Sequence, residues 1–402
     1  MPTSCGLSQQ KSYGNRSVRG NWKSVELIGC VWLSKQKNSY IGTRVKMKTE
    51  NLFNEMKRDK TEFALLPAFH GDCILIKTFD VDHNEFIILI DGGTAKTFKY
   101  TLKAELKNVT RINLLVLTHI DSDHIAGLIS LFKSSLIDYI SIDEIWMNHP
   151  ELVEVNNDEL ISTKQGDNLK QLILTKKPNV KLLEISTAEK LIVRSGIEFV
   201  ILSPTPQINN ELYRQWVEST IVKNEKGNVN ISSQQEVYSE PLENLSKIPF
   251  SPDKRINDDI FNSSSIAFLL KCFDTSILFL ADSRPEVIIE NLRLNGFTES
   301  HPLKVDYVKI SHHGSLNNTS QEQLRCIDSN NFLISTNGGT SRHKHPSRET
   351  IARIVFNPAN GDKTINIFFN HNIEDIKLRN GNFISDTDFK IGNWNAVRKN
   401  WF

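Results

Sequence analysis

The sequence lacks any CxxC pair; its five cysteines, Cys5, Cys30, Cys73, Cys272 and Cys326, are scattered and odd in number. That argues against a disulfide framework and suits reduced thiols in a reducing compartment. Long apolar runs are missing too. No stretch approaches the ~18 apolar residues of a membrane span, so a soluble chain with no membrane partner is expected. The opening MPTSCGLSQQKSYGNR has no basic segment leading into an apolar one, which makes export unexpected and the cytoplasm the default location. Charge of one sign is lacking overall, since the net charge is +1. This balance hides an asymmetry: residues 1–60 hold 12 Lys/Arg against 4 Asp/Glu, leaving 36 against 43, or −7, for residues 61–402. A negatively charged body is a poor general binder of nucleic acid. Any phosphate substrate must be drawn in locally, as a bound cation pair would do.

What is present is a strand rhythm. At 402 residues with 39% hydrophobic content, the chain can form one large α/β domain with decoration. Residues 1–60 are polar and basic and read as a loosely ordered extension. From Thr61 the runs TEFALLPAF, GDCILIKTF, FIILIDGG and INLLVL read as neighbouring strands, the last apolar enough to be buried on both faces. HIAGLISLFKSSL has helical spacing. The polar stretch at about 207–257 reads as a partly helical lid or an insertion. SSIAFLLKCF and SILFLAD then predict a hairpin, RPEVIIENLRLNG a helix closed by glycine, and VDYVKISHHGS and FLISTNGGT further strands. PSRETIARIVF reads as a helix opened by proline, before a last strand at TINIFFNH.

Polar ligand types gather at strand ends. LTHIDSDHIAG places His119, Asp121, Asp123 and His124 in one short loop after INLLVL. In an extended segment residues two apart point the same way, so 119, 121 and 123 converge while 124 reaches a second point. ILFLADS ends a strand on Asp282, YVKISHHGS on His312 and His313, and SRHKHPS adds His343 and His345. Six of the 11 histidines lie in these clusters, so the bland reading, an acidic turn with incidental histidines, is disfavoured.

The ordered segments GDCILI, LIDGG, THIDSDHIAGL, NSSSIAFLL, FLADS, KISHHGS and HKHP resemble the metallo-β-lactamase superfamily, and within it the branch holding the hydrolase domain of the DNA-uptake protein ComEC, here without membrane segments. The resemblance spans roughly Thr61 to Phe369. It implies an αββα sandwich of two mixed sheets flanked by helices, and two divalent ions, Mn²⁺ or Zn²⁺. His119 and Asp121 would bind the first ion, Asp123 and His124 the second, Asp282 would bridge both, and His313 would complete the second site. His312 and His345 would act near the substrate phosphate, and Asp123 would serve catalysis as well as metal binding. Asp91 would hold the ligand loop from outside, unless LIDGG is a plain turn. Gly71, Asp72, Asn262 and Ser265 look like structural or pocket-rim positions. Ser203 stands where relatives often carry a histidine, so His149 in WMNHP is a possible replacement ligand, the alternative being a local hydrogen-bonding role.

The resemblance implies a metal-dependent hydrolase, best read as a phosphodiesterase or nuclease acting on nucleic acid or a nucleotide-like compound. Hydrolysis of a lactam, lactone or thioester is the second enzymatic reading, because fold does not fix substrate. A metal-stabilised interaction module is the third, its basic extension docking to a protein partner.

Overall fold

The computed structural model describes residues 60–150, 164–221, 240–339 and 344–402. The expected extension before Lys60, residues 222–239 of the expected insertion, and His343 lie outside these.

Six strands form the first sheet in sequence order: β1 (Glu62–Leu65), β2 (Ile74–Phe79), β3 (Glu85–Ile90), β4 (Arg111–Val116), β5 (Ser141–Trp146) and β6 (Lys181–Leu183). Hairpins make β1, β2 and β3 antiparallel; the later pairs are parallel, joined by crossovers. The second sheet contains β7 (Leu191–Arg194), β8 (Ile197–Ser203), β9 (Ala267–Lys271), β10 (Ser276–Phe279), β12 (Tyr307–Lys309), β14 (Asn331–Ile334), β15 (Ile365–Phe369) and β16 (Trp394–Arg398). It repeats the plan, antiparallel from β7 to β10 and parallel from β10 to β16. A two-stranded ribbon of β11 (Leu303–Lys304) and β13 (Ile327–Asp328) stands apart.

Strand alternation builds three apolar layers. Ile88, Ile90, Leu114, Val116 and Trp146 from the first sheet pack against Phe199, Phe268 and Phe279 from the second. The other face of the first sheet, including Leu89 and Leu115, is covered by helix Ser122–Lys133 through Ile125, Leu128 and Phe132. The outer face of the second is covered by helices Pro285–Leu294 and Arg348–Val355. The architecture is therefore the expected αββα sandwich of two mixed sheets, and β4 is buried on both faces as its composition predicts. Among the described residues no helix is long and apolar enough to cross a membrane. Cys73, Cys272 and Cys326 are free thiols.

Three local expectations change. TINIFFNH is not the last strand, because β16 follows it; three of the five β16 residues are exposed and only Trp394 is buried, so β16 carries little apolar signal. Helix Arg348–Val355 opens on Ser347, whose side chain accepts from Thr350 N, rather than on the preceding proline. In the polar stretch, helix Pro206–Ile221 buries Leu212, Tyr213 and Trp216 against Ile260 and Val287, so this part packs into the body.

Candidate metal centre

The carboxyl ends of β3, β4, β10, β12 and β14 meet along one edge of the sandwich and deliver Asp91, His119, Asp282, His312 with His313, and Ser335. Ends of parallel strands are where an open α/β fold leaves a crevice. The LTHIDSDHIAG loop is only partly extended. Asp121 sits at the N-cap of helix Ser122–Lys133 without a side-chain capping bond, so Asp123 and His124 belong to its first turn. The convergence thus comes from a strand end followed by a helix start, not from alternation across one extended segment.

Asp282 Oδ2 is the hub. The Nε2 atoms of His124, His313, His119 and His312 stand 3.5, 3.6, 3.8 and 3.8 Å from it. His313 Nε2 is also 3.4 Å from Asp123 Oδ2, and His119 Nε2 is 3.8 Å from Asp121 Oδ2. Most of these separations are long for hydrogen bonds, but they suit donors that share an ion at about 2.0–2.2 Å from each. Buried His119 Nε2, His124 Nε2, His313 Nε2 and Asp282 Oδ1 have no hydrogen-bond partner, which is costly unless something else satisfies them. Ligand-atom groupings form at His119, His124 and Asp282, and at Asp123, His124 and His313. The donor set fits divalent metal.

Each imidazole is oriented from behind. His124 Nδ1 donates to Asp91 Oδ2 at 2.8 Å, and His313 Nδ1 to Ser335 O at 3.0 Å. His312 Nδ1 donates to Asn318 Oδ1 at 3.0 Å. The Thr118 hydroxyl donates to Asp91 Oδ2 at 2.7 Å, leaving its oxygen to accept from His119 Nδ1 at 3.1 Å. All four rings therefore spend their Nδ1 proton on the protein and present Nε2 to the cluster, the arrangement that fixes tautomer and aim in metal sites. Asp91 also accepts from Thr118 N at 2.8 Å. This fully buried carboxylate holds the ligand loop and is no plain turn residue.

The backbone is forced into place as well. Asp91, Ala281, His312 and His313 have φ of 56°, 44°, 47° and 56°, the left-handed region that non-glycine residues avoid. Such strain concentrates where surrounding structure imposes it for function. Gly71 and Gly127 allow the close approaches: a Cβ on Gly71 would lie 1.7 Å from Asp123 O, and one on Gly127 1.8 Å from Gly92 O.

The carboxylates create a field that calls for positive charge. Burial opposes the charged form of His313, yet Asp282 and Asp72 outweigh it and raise the pKa to about 10. His124 is raised for the same reason by Asp282 and Asp91. His119 goes the other way, to about 4, through burial and the neighbouring His124.

The His345 ring lies 5.4 Å from that of His312 and 6.4 Å from that of His313. Asn262 donates to Asp259 Oδ1, and Ser265 N donates to Asn262 O; neither bonds to a cluster residue. Their segment is tied to the site by Ile266 N, which donates to Thr118 O. His149 is not brought into the cluster: its Nε2 faces Asp167 Oδ1 at 2.9 Å and its ring packs against Trp216, so the local hydrogen-bonding alternative describes it. Ser203 is buried at the end of β8.

Sequence reasoning missed one partnership. Lys309, a lone cation inside an apolar strand, and Asp72 are almost wholly buried and pair at 2.5 Å, with Asp72 Oδ1 3.4 Å from His313 Nδ1. The lysine holds the Asp72 carboxyl far below its ordinary range against the opposing effect of burial. Asp72→Ala would strand a buried ammonium, and chemical denaturation of the metal-stripped protein should show a loss of about 3–5 kcal/mol. The double variant Asp72→Ala/Lys309→Met should recover most of it. A single variant as stable as the parent would refute this pairing.

Residues 66–207 match the family model described as metallo-beta-lactamase superfamily. That stretch is similar to the metallo-beta-lactamase superfamily. This match covers LIDGG and THIDSDHIAGL, and the cluster's remaining candidate ligands come from later strands of the same sandwich. Among proteins with curated functions, none matches. Similar solved structures include a CmlA beta-hydroxylase mutant, at 14% identity over 84% of this chain and 52% of that one, with TM-score 0.36. Zn(2+)-bound PqqB from Methylobacterium extorquens shows 9% identity over 85% and 99%, TM-score 0.39. A long-form RNase Z from yeast shows 14% over 79% and 38%, TM-score 0.34. The chain thus spans about half of the first and less of the last.

Proposed function

We propose that this protein is a metal-dependent hydrolase acting on phosphodiesters, in nucleic acid or a nucleotide-like compound, in a cytoplasmic setting that keeps its thiols reduced. The observation that carries this reading is the convergence of four Nε2 atoms on Asp282 Oδ2 within 3.5–3.8 Å. His119, Asp121 and Asp282 would hold one ion, and Asp123, His124, His313 and Asp282 the other. When bound, such a pair supplies hydroxide near neutral pH and neutralises charge on phosphoryl oxygens.

The chain's own residues supply aim and proton transfer. His312, whose side chain is 26% exposed, is the most open imidazole of the four, and the Asn318 bond holds its Nε2 at the solvent-facing rim of the cluster, 3.8 Å from Asp282 Oδ2. It is the group placed to donate a proton to the leaving oxygen. His345, beside it, lies outside the groupings of ligand atoms and would bind phosphate charge. Asp91, Thr118, Asn318 and Ser335 O keep the rings from turning.

Bis-p-nitrophenyl phosphate, a chromogenic lactam and labelled DNA, each with and without Mn²⁺, separate the readings. Metal-dependent turnover of the diester and DNA alone is expected. Faster turnover of the lactam would replace the substrate class, and metal binding with no turnover of any of the three would make the centre structural.

A further inference from the structure

Beside the cluster lies a surface that the hydrolytic centre leaves unused. After Asp91 the chain forms a helix in three continuous pieces, Ala95–Thr97, a π-helical turn Phe98–Leu102, and Lys103–Glu105. Residues 95–107 read AKTFKYTLKAELK, four lysines against one glutamate, or +3. Phe98, Leu102 and Leu106 face the core, which turns Lys96, Lys99, Lys103 and Lys107 outward, all exposed. None has an acidic partner among the described residues. In a body whose balance is negative, this is a local basic face.

The face also carries a ring. Tyr100 is 64% exposed, with Lys99 Nζ 5.1 Å from its centroid. An aromatic this open buries little of its surface in the fold, so its packing explains little of its presence. Tyr100 stands 6.5 Å from Phe69, itself 6.3 Å from the His371 ring. Phe69 is held at φ 62°, and its N–H donates to His371 Nε2 at 3.1 Å. The loop bearing Phe69 is tied to the helix by Thr97 Oγ1 donating to Ala68 O and Thr101 Oγ1 to Pro67 O, at 3.1 and 3.2 Å. Two residues on, Gly71 lies against Asp123 of the metal centre. His70, half-buried, stands between them in the chain.

We infer that the lysine face, Tyr100, Phe69 and His70 form a ledge that receives a single nucleic-acid strand and leads it to the metal centre. This rests on the phosphodiesterase reading and names its substrate class. Exposed lysines beside the exposed Tyr100 ring and the half-buried Phe69 ring match a strand's phosphates and unstacked bases. A duplex keeps its bases stacked inside and would use only the lysines. A bare anionic surface would use the lysines and have no need of Tyr100 or Phe69.

The test uses the full chain with Mn²⁺. Binding is followed by fluorescence anisotropy of a labelled single-stranded DNA with hydrolysis-resistant phosphorothioate links, and catalysis by bis-p-nitrophenyl phosphate, which has no strand to lay along the helix. Lys99→Gln/Lys103→Gln/Lys107→Gln should weaken strand binding at least about ten-fold and flatten the slope of log affinity against log salt by about two. Tyr100→Ala should weaken it by about ten-fold with the slope unchanged. Both variants should turn over the small diester like the parent, which also shows that they fold. Parent-like strand affinity in both variants, equal losses for duplex and single strand with Tyr100→Ala, or lysine-dependent binding seen only with phosphatidylserine vesicles would each overturn the ledge. If the parent binds the strand through these residues yet leaves the diester intact, the ledge stands and the hydrolytic reading falls.

Discussion

Asp282→Asn is expected to lose bound metal and turnover together. Its Oδ2 is the atom on which all four imidazoles converge, and an amide offers one neutral oxygen where a bridging carboxylate offers two charged ones. Neither ion of the proposed pair would then keep a full ligand set. Stabilisation of several kcal/mol by a metal pair corresponds to at least about a thousand-fold in rate, so activity should drop to background. His345→Ala is the contrasting case, because its ring lies beside His312 and outside the groupings of ligand atoms. It should lower turnover with metal content nearly unchanged. Equal metal loss in the two variants would make His345 a ligand and overturn this division of roles.

The metal-stripped protein should regain diesterase activity more fully with Mn²⁺ than with Zn²⁺. The first ion would meet one imidazole, His119, and two carboxylates, Asp121 and Asp282, with Ser203 where a further histidine is often found. Asp121 is 44% exposed and makes no capping bond, so its oxygens are available along with water. Harder cations prefer carboxylate and water, while nitrogen donors favour zinc. Asp121→His should shift the preference toward zinc. Two tightly held zinc ions per chain, with no activation by manganese, would refute this.

Much of the sandwich was legible because its inner strands are apolar runs ended by polar ligands: β3 before Asp91, β4 before His119 and β10 before Asp282 each announce both a strand and a site. The edges were not. β16 has only Trp394 buried, and the residues after it bond to β1, where Phe63 N donates to Phe402 O and Phe402 N to Phe63 O. No local pattern encodes that closure. Candidate ligands could be read from short spacing, but their orientation could not, because Ser335 O, Asn318 and Asp91 reach His313, His312 and His124 across loops and strands. Lys309 and Asp72 are 237 residues apart. A charged residue in a buried strand signals only that some partner exists.

Electron paramagnetic resonance of the stripped protein titrated with Mn²⁺ tests the central claim most directly. Two ions sharing Asp282 should give a spin-coupled signal that saturates at two equivalents per chain and disappears in Asp282→Asn. A spectrum of isolated manganese that saturates at one equivalent, and persists in Asp282→Asn, would contradict the dinuclear centre.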